Sequence, residues 1–116
     1  PPSQYQGRYA VDDAPFEGGV IPAGLPTLLL TGSATRDPRA FERADEFDIT
    51  RGGHTAIAFG YGAHSCLGAW LARLESRVAF EGIRRRWPRY EVDFSRSARV
   101  NMSNVAGYAH LPVRVR

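Results

Sequence analysis

Lysine is absent: all fifteen basic residues are arginine, so the formal net charge of +3 is carried by planar guanidiniums. The arginines are scattered and no basic patch interleaved with aromatics accompanies them, which argues against a nucleic-acid partner and for a solvated surface. Long apolar runs are missing too. No stretch approaches the roughly eighteen apolar residues that a membrane span needs. The opening Pro1-Pro2-Ser3-Gln4 lacks a starting Met and any basic segment followed by an apolar one. The expectation is a cytoplasmic protein, without a membrane anchor, whose first residue is not a natural beginning. Cysteine is nearly absent. A single one, Cys66, excludes a disulfide within the chain, a multi-cysteine zinc site and an iron–sulfur cluster.

What is present is the composition of a globular protein, 43% hydrophobic and 23% charged in 116 residues. Arg8 to Asp13 reads as extended. Phe16 to Gly24 reads as a short hairpin turning at Gly18-Gly19. Thr27 to Thr31 suits a short buried strand, followed by a helical turn capped by Ser33 or Thr35 and ended by Asp37-Pro38. Arg39 to His54 has no clean period and is expected to be irregular and packed by Phe41 and Phe47.

The strongest helical signal runs from about Leu67 to Trp87. Leu67, Trp70, Leu71, Leu74 and Val78 recur at three- and four-residue intervals, while Arg73, Arg77 and Arg84 share another face. Arg84-Arg85-Arg86 suits the negative end of the helix dipole, and Pro88 stops the helix. Tyr90 to Phe94 alternates as a strand, and Ala98 to Val115 offers further strands broken at Asn104 to Gly107.

A lone cysteine is most often a small buried apolar residue. The surroundings of Cys66 point elsewhere. A cysteine at the start of a helix meets unpaired N–H groups and the positive dipole end, both of which favour the thiolate. Gly60 and Gly62 permit turns closed to other residues, and Gly68 removes a side chain where a flat ligand approaches the helix.

The run Phe59-Gly60-x-Gly62-x-His64-x-Cys66-Leu67-Gly68, followed by Ala69, Leu71-Ala72-Arg73 and Glu75, resembles the cysteine-pocket signature of bacterial cytochromes P450. It fixes an aromatic, three glycines, a histidine and a cysteine at set spacings, which makes it far more specific than a short glycine motif. The similarity extends through Gly18 to Gly24, Ala34-x-Arg36-Asp37-Pro38-x-x-Phe41, Phe47 to Arg51 and Leu111-Pro112-Val113, in the family's order.

The resemblance implies an α+β fragment of the mainly α cytochrome P450 fold: short β-hairpins, a cysteine loop, one long helix and a C-terminal β-hairpin. All 116 residues would form the C-terminal part of a single P450 domain. The oxygen-activating helix and the Glu-x-x-Arg helix of the family lie outside this sequence. The implied cofactor is haem b, with Cys66 as proximal ligand, Phe59, Gly60, Leu67 and Gly68 around it, and Arg8 and His64 on its propionates. For His64 the alternative is a loop-satisfied histidine, for Arg8 a surface charge and for Phe59 an ordinary core aromatic. Many family members carry a histidine ten residues before the cysteine, where this chain has Ala56; its nearest histidine is His54.

The same resemblance puts Gln4, Gln6, Asn104 and Val105 near a substrate pocket, with solvated loops as the alternative. It puts Arg73 and Arg77 on a surface for an electron-donor protein, with solvated helix charges as the alternative. The implied activity of the parent protein is monooxygenation of a small organic substrate by O₂, with electrons from a ferredoxin- or flavodoxin-type partner. The competing expectations are a non-enzymatic P450-like adaptor and a fragment without activity of its own; preservation of the cysteine pocket speaks against the adaptor.

Overall fold

The computed structural model describes residues 1–52 and 57–116. The chain divides into two units, one formed by Pro1–His54 with Ser103–Ala106, the other by Thr55–Met102 with Gly107–Arg116.

In the first unit β1 (Gln6–Tyr9) pairs antiparallel with β4 (Pro26–Leu29), Gln6 opposite Leu29 and Tyr9 opposite Pro26. Between them lies the hairpin of β2 (Ala14–Phe16) and β3 (Gly19–Ile21). Its two-residue turn is Glu17-Gly18, one position earlier than the sequence pattern suggests, and Gly19 opens β3 at φ 142°, a value that disfavours any side chain. The helix α1 (Thr31–Ala34) starts from Leu30 with no side-chain cap. Ser33 lies inside the turn and Thr35 closes it, its hydroxyl donating to Gly32 O at 3.0 Å, so neither is the expected N-cap. Thr31, 8% exposed, is the one buried residue among those described, and its hydroxyl donates to Ser3 O at 2.8 Å. The backbone beside it is tied on both sides: Gly32 N donates to Gln4 O, and Gln4 N donates to Asn104 O, each at 2.8 Å.

Residues 36–52 contain no helix or strand, as expected; Phe41 is half-buried, whereas Phe47 is 95% exposed and does not pack them. Charged groups reinforce the backbone turn bonds. Asp37 takes the Arg39 guanidinium at 2.7 Å and the Arg39 N–H at 2.9 Å. Asp48 accepts from Thr50 Oγ1 at 2.6 Å, from Thr50 N at 2.8 Å and from Arg43 at 2.9 Å. The Arg51 guanidinium donates to the carbonyls of Glu42, Arg43 and Glu46, the Arg43 carbonyl also accepting the Glu46 N–H at 2.9 Å.

In the second unit α2 (Ala69–Arg86) begins two residues later than its apolar period suggests and ends before Pro88. Leu67 therefore precedes the helix. Beyond it β5 (Tyr90–Val92) pairs antiparallel with β8 (Val113–Val115), and β6 (Ala98–Arg99) pairs with β7 (Tyr108–His110) inside that span. The strand expected to reach Phe94 stops at Val92, because Asp93 accepts from Ser95 N at 3.1 Å and turns Phe94–Arg96 into a 3₁₀ turn. A tilted contact of Phe94 with Tyr108, at 6.2 Å between ring centres, and the Arg99 guanidinium 4.7 Å from the Tyr108 ring align these strands.

No apolar side chain is buried among the described residues, and the α2 stripe of Trp70, Leu71, Leu74 and Val78 is exposed. Hydrogen-bonded backbone, not a core, defines each unit. Among the described residues no helix is long and apolar enough to cross a membrane.

Candidate functional site

Two short 3₁₀ turns, Ile57–Phe59 and Gly62–His64, lead into Cys66. The loop is closed by backbone bonds: Gly60 N to Ile57 O at 2.9 Å, Ser65 N to Gly62 O at 3.0 Å and Cys66 N to Phe59 O at 2.7 Å. Two glycines make that path possible. Gly60 has φ 76° and Gly62 φ 64°, and a Cβ on Gly60 would stand 2.8 Å from the His64 carbonyl oxygen. Gly60 is thus required twice, by its dihedral and by the closeness of the returning chain. A Cβ on Gly68, the residue that caps α2, would meet only the Cys66 Sγ, at 4.0 Å.

Cys66 sits three residues before the first residue of α2, and Ala69 N donates to its carbonyl at 3.2 Å. It is therefore on the turn entering the helix, not in the first helical turn. Its thiol is exposed, as is His64 beside it, and Leu67 is 100% exposed. Among the described residues no three His, Cys, Asp or Glu side chains cluster to hold a metal ion. A metal bound by protein alone needs three or four such ligands. A single exposed thiol at the entrance to a helix would serve a cofactor metal that brings its other ligands with it, as haem does, so the donor present is compatible with haem.

The structure distributes the other sequence-predicted residues as follows. Phe59, Gly60, His64, Cys66, Leu67 and Gly68 form one continuous loop in the second unit. Arg8 lies on β1 in the first unit, its guanidinium donating to Gly7 O at 2.7 Å and to Gln6 Oε1 at 3.0 Å. The Gln6 side chain is thereby engaged. Gln4, Asn104 and Val105 come together: besides the Gln4–Asn104 bond, Ser3 and Val105 form an antiparallel bridge. Gln4 also borders a wide-open cavity of about 640 Å³ shared with Gly32, Arg36 and Phe47. Arg73 and Arg77 line a shallow groove on α2 with Trp70, Leu71 and Leu74. His54 and Ala56 lie outside the described residues.

Sequence reasoning missed one contact at the site. The Arg73 guanidinium lies 4.8 Å from the centre of the Phe59 ring and 5.7 Å from that of Trp70. The three-residue spacing of Trp70 and Arg73 on a helix signals half of this arrangement. The Phe59 half depends on the path of the loop, which no periodicity encodes.

The cytochrome P450 family model matches residues 1–102. A Mycobacterium tuberculosis protein described as cytochrome P450 123 is 47% identical over 114 residues, covering 97% of this chain and 28% of its own length. The biotin biosynthesis cytochrome P450 of Bacillus subtilis is 42% identical over 87 residues, 75% of this chain and 22% of its own length. The crystal structure of P450BioI in complex with an acyl carrier protein ligated to hexadec-9Z-enoic acid superimposes with a TM-score of 0.90 at 35% identity, over 99% of this chain and 30% of that one. This chain thus spans less than a third of the length of each of these three relatives. A matching cysteine loop, a family model covering most of the sequence and neighbours of the same kind in three dimensions lead to one conclusion: the chain belongs to the cytochrome P450 family, whose members carry haem.

Proposed function

We propose that these residues are the C-terminal, haem-thiolate part of a single-domain cytochrome P450 monooxygenase, and that the 116-residue chain alone is inactive. The single observation that carries the reading is the loop closed by the Cys66 N–H to Phe59 O bond, which sets one exposed thiol at the entrance to a long helix. The fully exposed Leu67 and the uncovered stripe on α2 support the fragment reading, since apolar area of that kind is ordinarily covered by further chain.

In this proposal Cys66 is the proximal ligand of haem b. Thiolate-bound haem supplies electron density that favours O–O cleavage. The chain's own residues act around it. The Phe59 carbonyl holds the Cys66 backbone at the helix entrance, and N–H groups after Cys66 would moderate the charge of the sulfur. Gly60 and Gly62 keep the loop flat beneath the cofactor, and Leu67 and Phe59 would lie beside the sulfur and the haem once it is bound. The family resemblance supports His64 and Arg8, each within its own unit, as donors that would hold the haem propionates. For Arg8 that role replaces its bonds to Gly7 O and Gln6 Oε1 with bonds to a stronger, charged acceptor.

The parent protein would insert one atom of O₂ into a small organic molecule, in the cytoplasm, taking electrons from a ferredoxin- or flavodoxin-type donor that docks near Arg73 and Arg77. Gln4, Gln6, Asn104 and Val105 would border the substrate. Of these, Gln4, Asn104 and Val105 support the assignment by lying together.

The test is the absorbance spectrum of the reduced, carbon monoxide-bound full-length protein. A thiolate-type spectrum is expected, and Cys66→Ala or Cys66→His should abolish both it and turnover. A variant that keeps both would remove Cys66 from the iron.

A further inference from the structure

Arg73 stands seven residues after Cys66, on the helix that leaves the loop, and its guanidinium meets two rings from different elements. One ring, Trp70, belongs to α2 itself. The other, Phe59, belongs to the 3₁₀ turn that enters the loop, and its carbonyl accepts the Cys66 N–H at 2.7 Å. The side chain therefore bridges the two ends of the loop. A guanidinium suits this place because it is planar, permanently charged and weakly hydrated, so it lies against aromatic faces where an ammonium stays in water.

We propose that Arg73 is a positioning residue: by holding the Phe59 ring against α2 it fixes the carbonyl that orients Cys66. Its charge is then not free for docking alone. The Phe59–Arg73 contact is the pin, and Cys66 reads it through the backbone. The ring contact itself is independent of what Cys66 ligates; its consequence for the iron rests on the proposed haem-thiolate reading.

The experiment is amide hydrogen exchange at Cys66 in the full-length protein with no partner protein present, together with the carbon monoxide spectrum of the same samples. Arg73→Gln is expected to speed exchange of the Cys66 N–H about two- to five-fold, the scale of an exposed cation–π contact. Phe59→Leu should do the same, and the double variant should exchange no faster than the faster single variant, because both remove one contact. Arg77→Gln, one turn further along α2, should leave the rate unchanged. In the spectrum, Arg73→Gln should raise the thiol-ligated fraction by a similar factor. Unchanged exchange in Arg73→Gln, or fully additive effects with Phe59→Leu, overturns the proposal. If wild-type protein lacks a thiolate-type spectrum while exchange still responds as expected, the ligand reading fails and the pin stands.

Discussion

Two stretches of irregular backbone are held by different means. From Arg36 to Arg51 side chains reinforce a few backbone turn bonds: carboxylates of Asp37 and Asp48 collect N–H and guanidinium donors, and Arg51 collects carbonyls. From Ile57 to Gly68 the backbone bonds to itself, and what the sequence contributes is mainly the absence of side chains at Gly60 and Gly62. The first arrangement leans on carboxylate and guanidinium groups of its own residues; the second rests on backbone dihedrals, with a single charge, that of Arg73, set against the Phe59 ring at its entrance. The loop that carries the one exposed thiol is built the second way.

The largest expected effect asks whether either means suffices without a core. Each of Leu67, Leu71, Leu74 and Val78 forgoes about 1.5–3 kcal/mol while uncovered, against a typical domain stability of about 5–15 kcal/mol. The isolated 116-residue chain should show no sharp thermal transition and should release haem readily, and a cooperative transition with slowly dissociating haem would sink this expectation.

Next in size comes Gly60→Ala in the full-length protein, expected to cost about 1–3 kcal/mol through its positive φ and to cost more where the His64 carbonyl stands in the way. Gly62→Ala meets nothing within 4 Å and should cost less, about 1–2 kcal/mol. Denaturant unfolding of the two variants checks the order, and equal losses would show that the close carbonyl is irrelevant. In the charged stretch Arg51→Ala should cost about 0.5–1.5 kcal/mol, the net worth of a hydrogen bond that water can replace, with an unchanged carbon monoxide spectrum.

The smallest effect is one of pH. The Arg39 guanidinium holds the Asp37 carboxyl down at about 2, from an ordinary 3.8, and the Thr50 hydroxyl bond holds Asp48 below its ordinary range. Lowered values mean that the folded form gains from the ionised carboxylates above about pH 4 and loses that gain as pH falls towards 2. Amides of 37–51 should therefore exchange faster as pH is lowered through this window, after correction for intrinsic exchange, and Asp37→Asn should flatten the response at Arg39. The same scan should leave the Cys66 amide flat.

The contrast also governs what the sequence revealed. The cysteine loop was legible because glycines at positive φ, a histidine and a cysteine at fixed spacing are a signature of chemistry and backbone together. α2 was legible from its apolar period, although that period ran past the true start, since Leu67 continues the spacing while Gly68 sets the cap. The caps of α1 and the packing of residues 36–52 were misread for a common reason. Ser33, Thr35, Asp37, Asp48 and Arg51 act through single bonds to specific backbone atoms, and such bonds leave no periodic trace. Of the two aromatics expected to pack this irregular segment, Phe41 is half-buried while Phe47 faces outward. The Phe59–Arg73 contact was invisible because it joins positions related only by the loop's route.

The pairing of β5 with β8 around β6 and β7 has a consequence for the order of assembly. Bringing Val92 to Val113 directly means closing a long flexible loop, whereas joining Arg99 to Tyr108 first means closing a much shorter one. Each doubling of loop length adds only about 0.6 kcal/mol, but the inner hairpin, once formed, also shortens the path that the outer strands must close. Loop-closure entropy thus favours pairing β6 with β7 before β5 with β8.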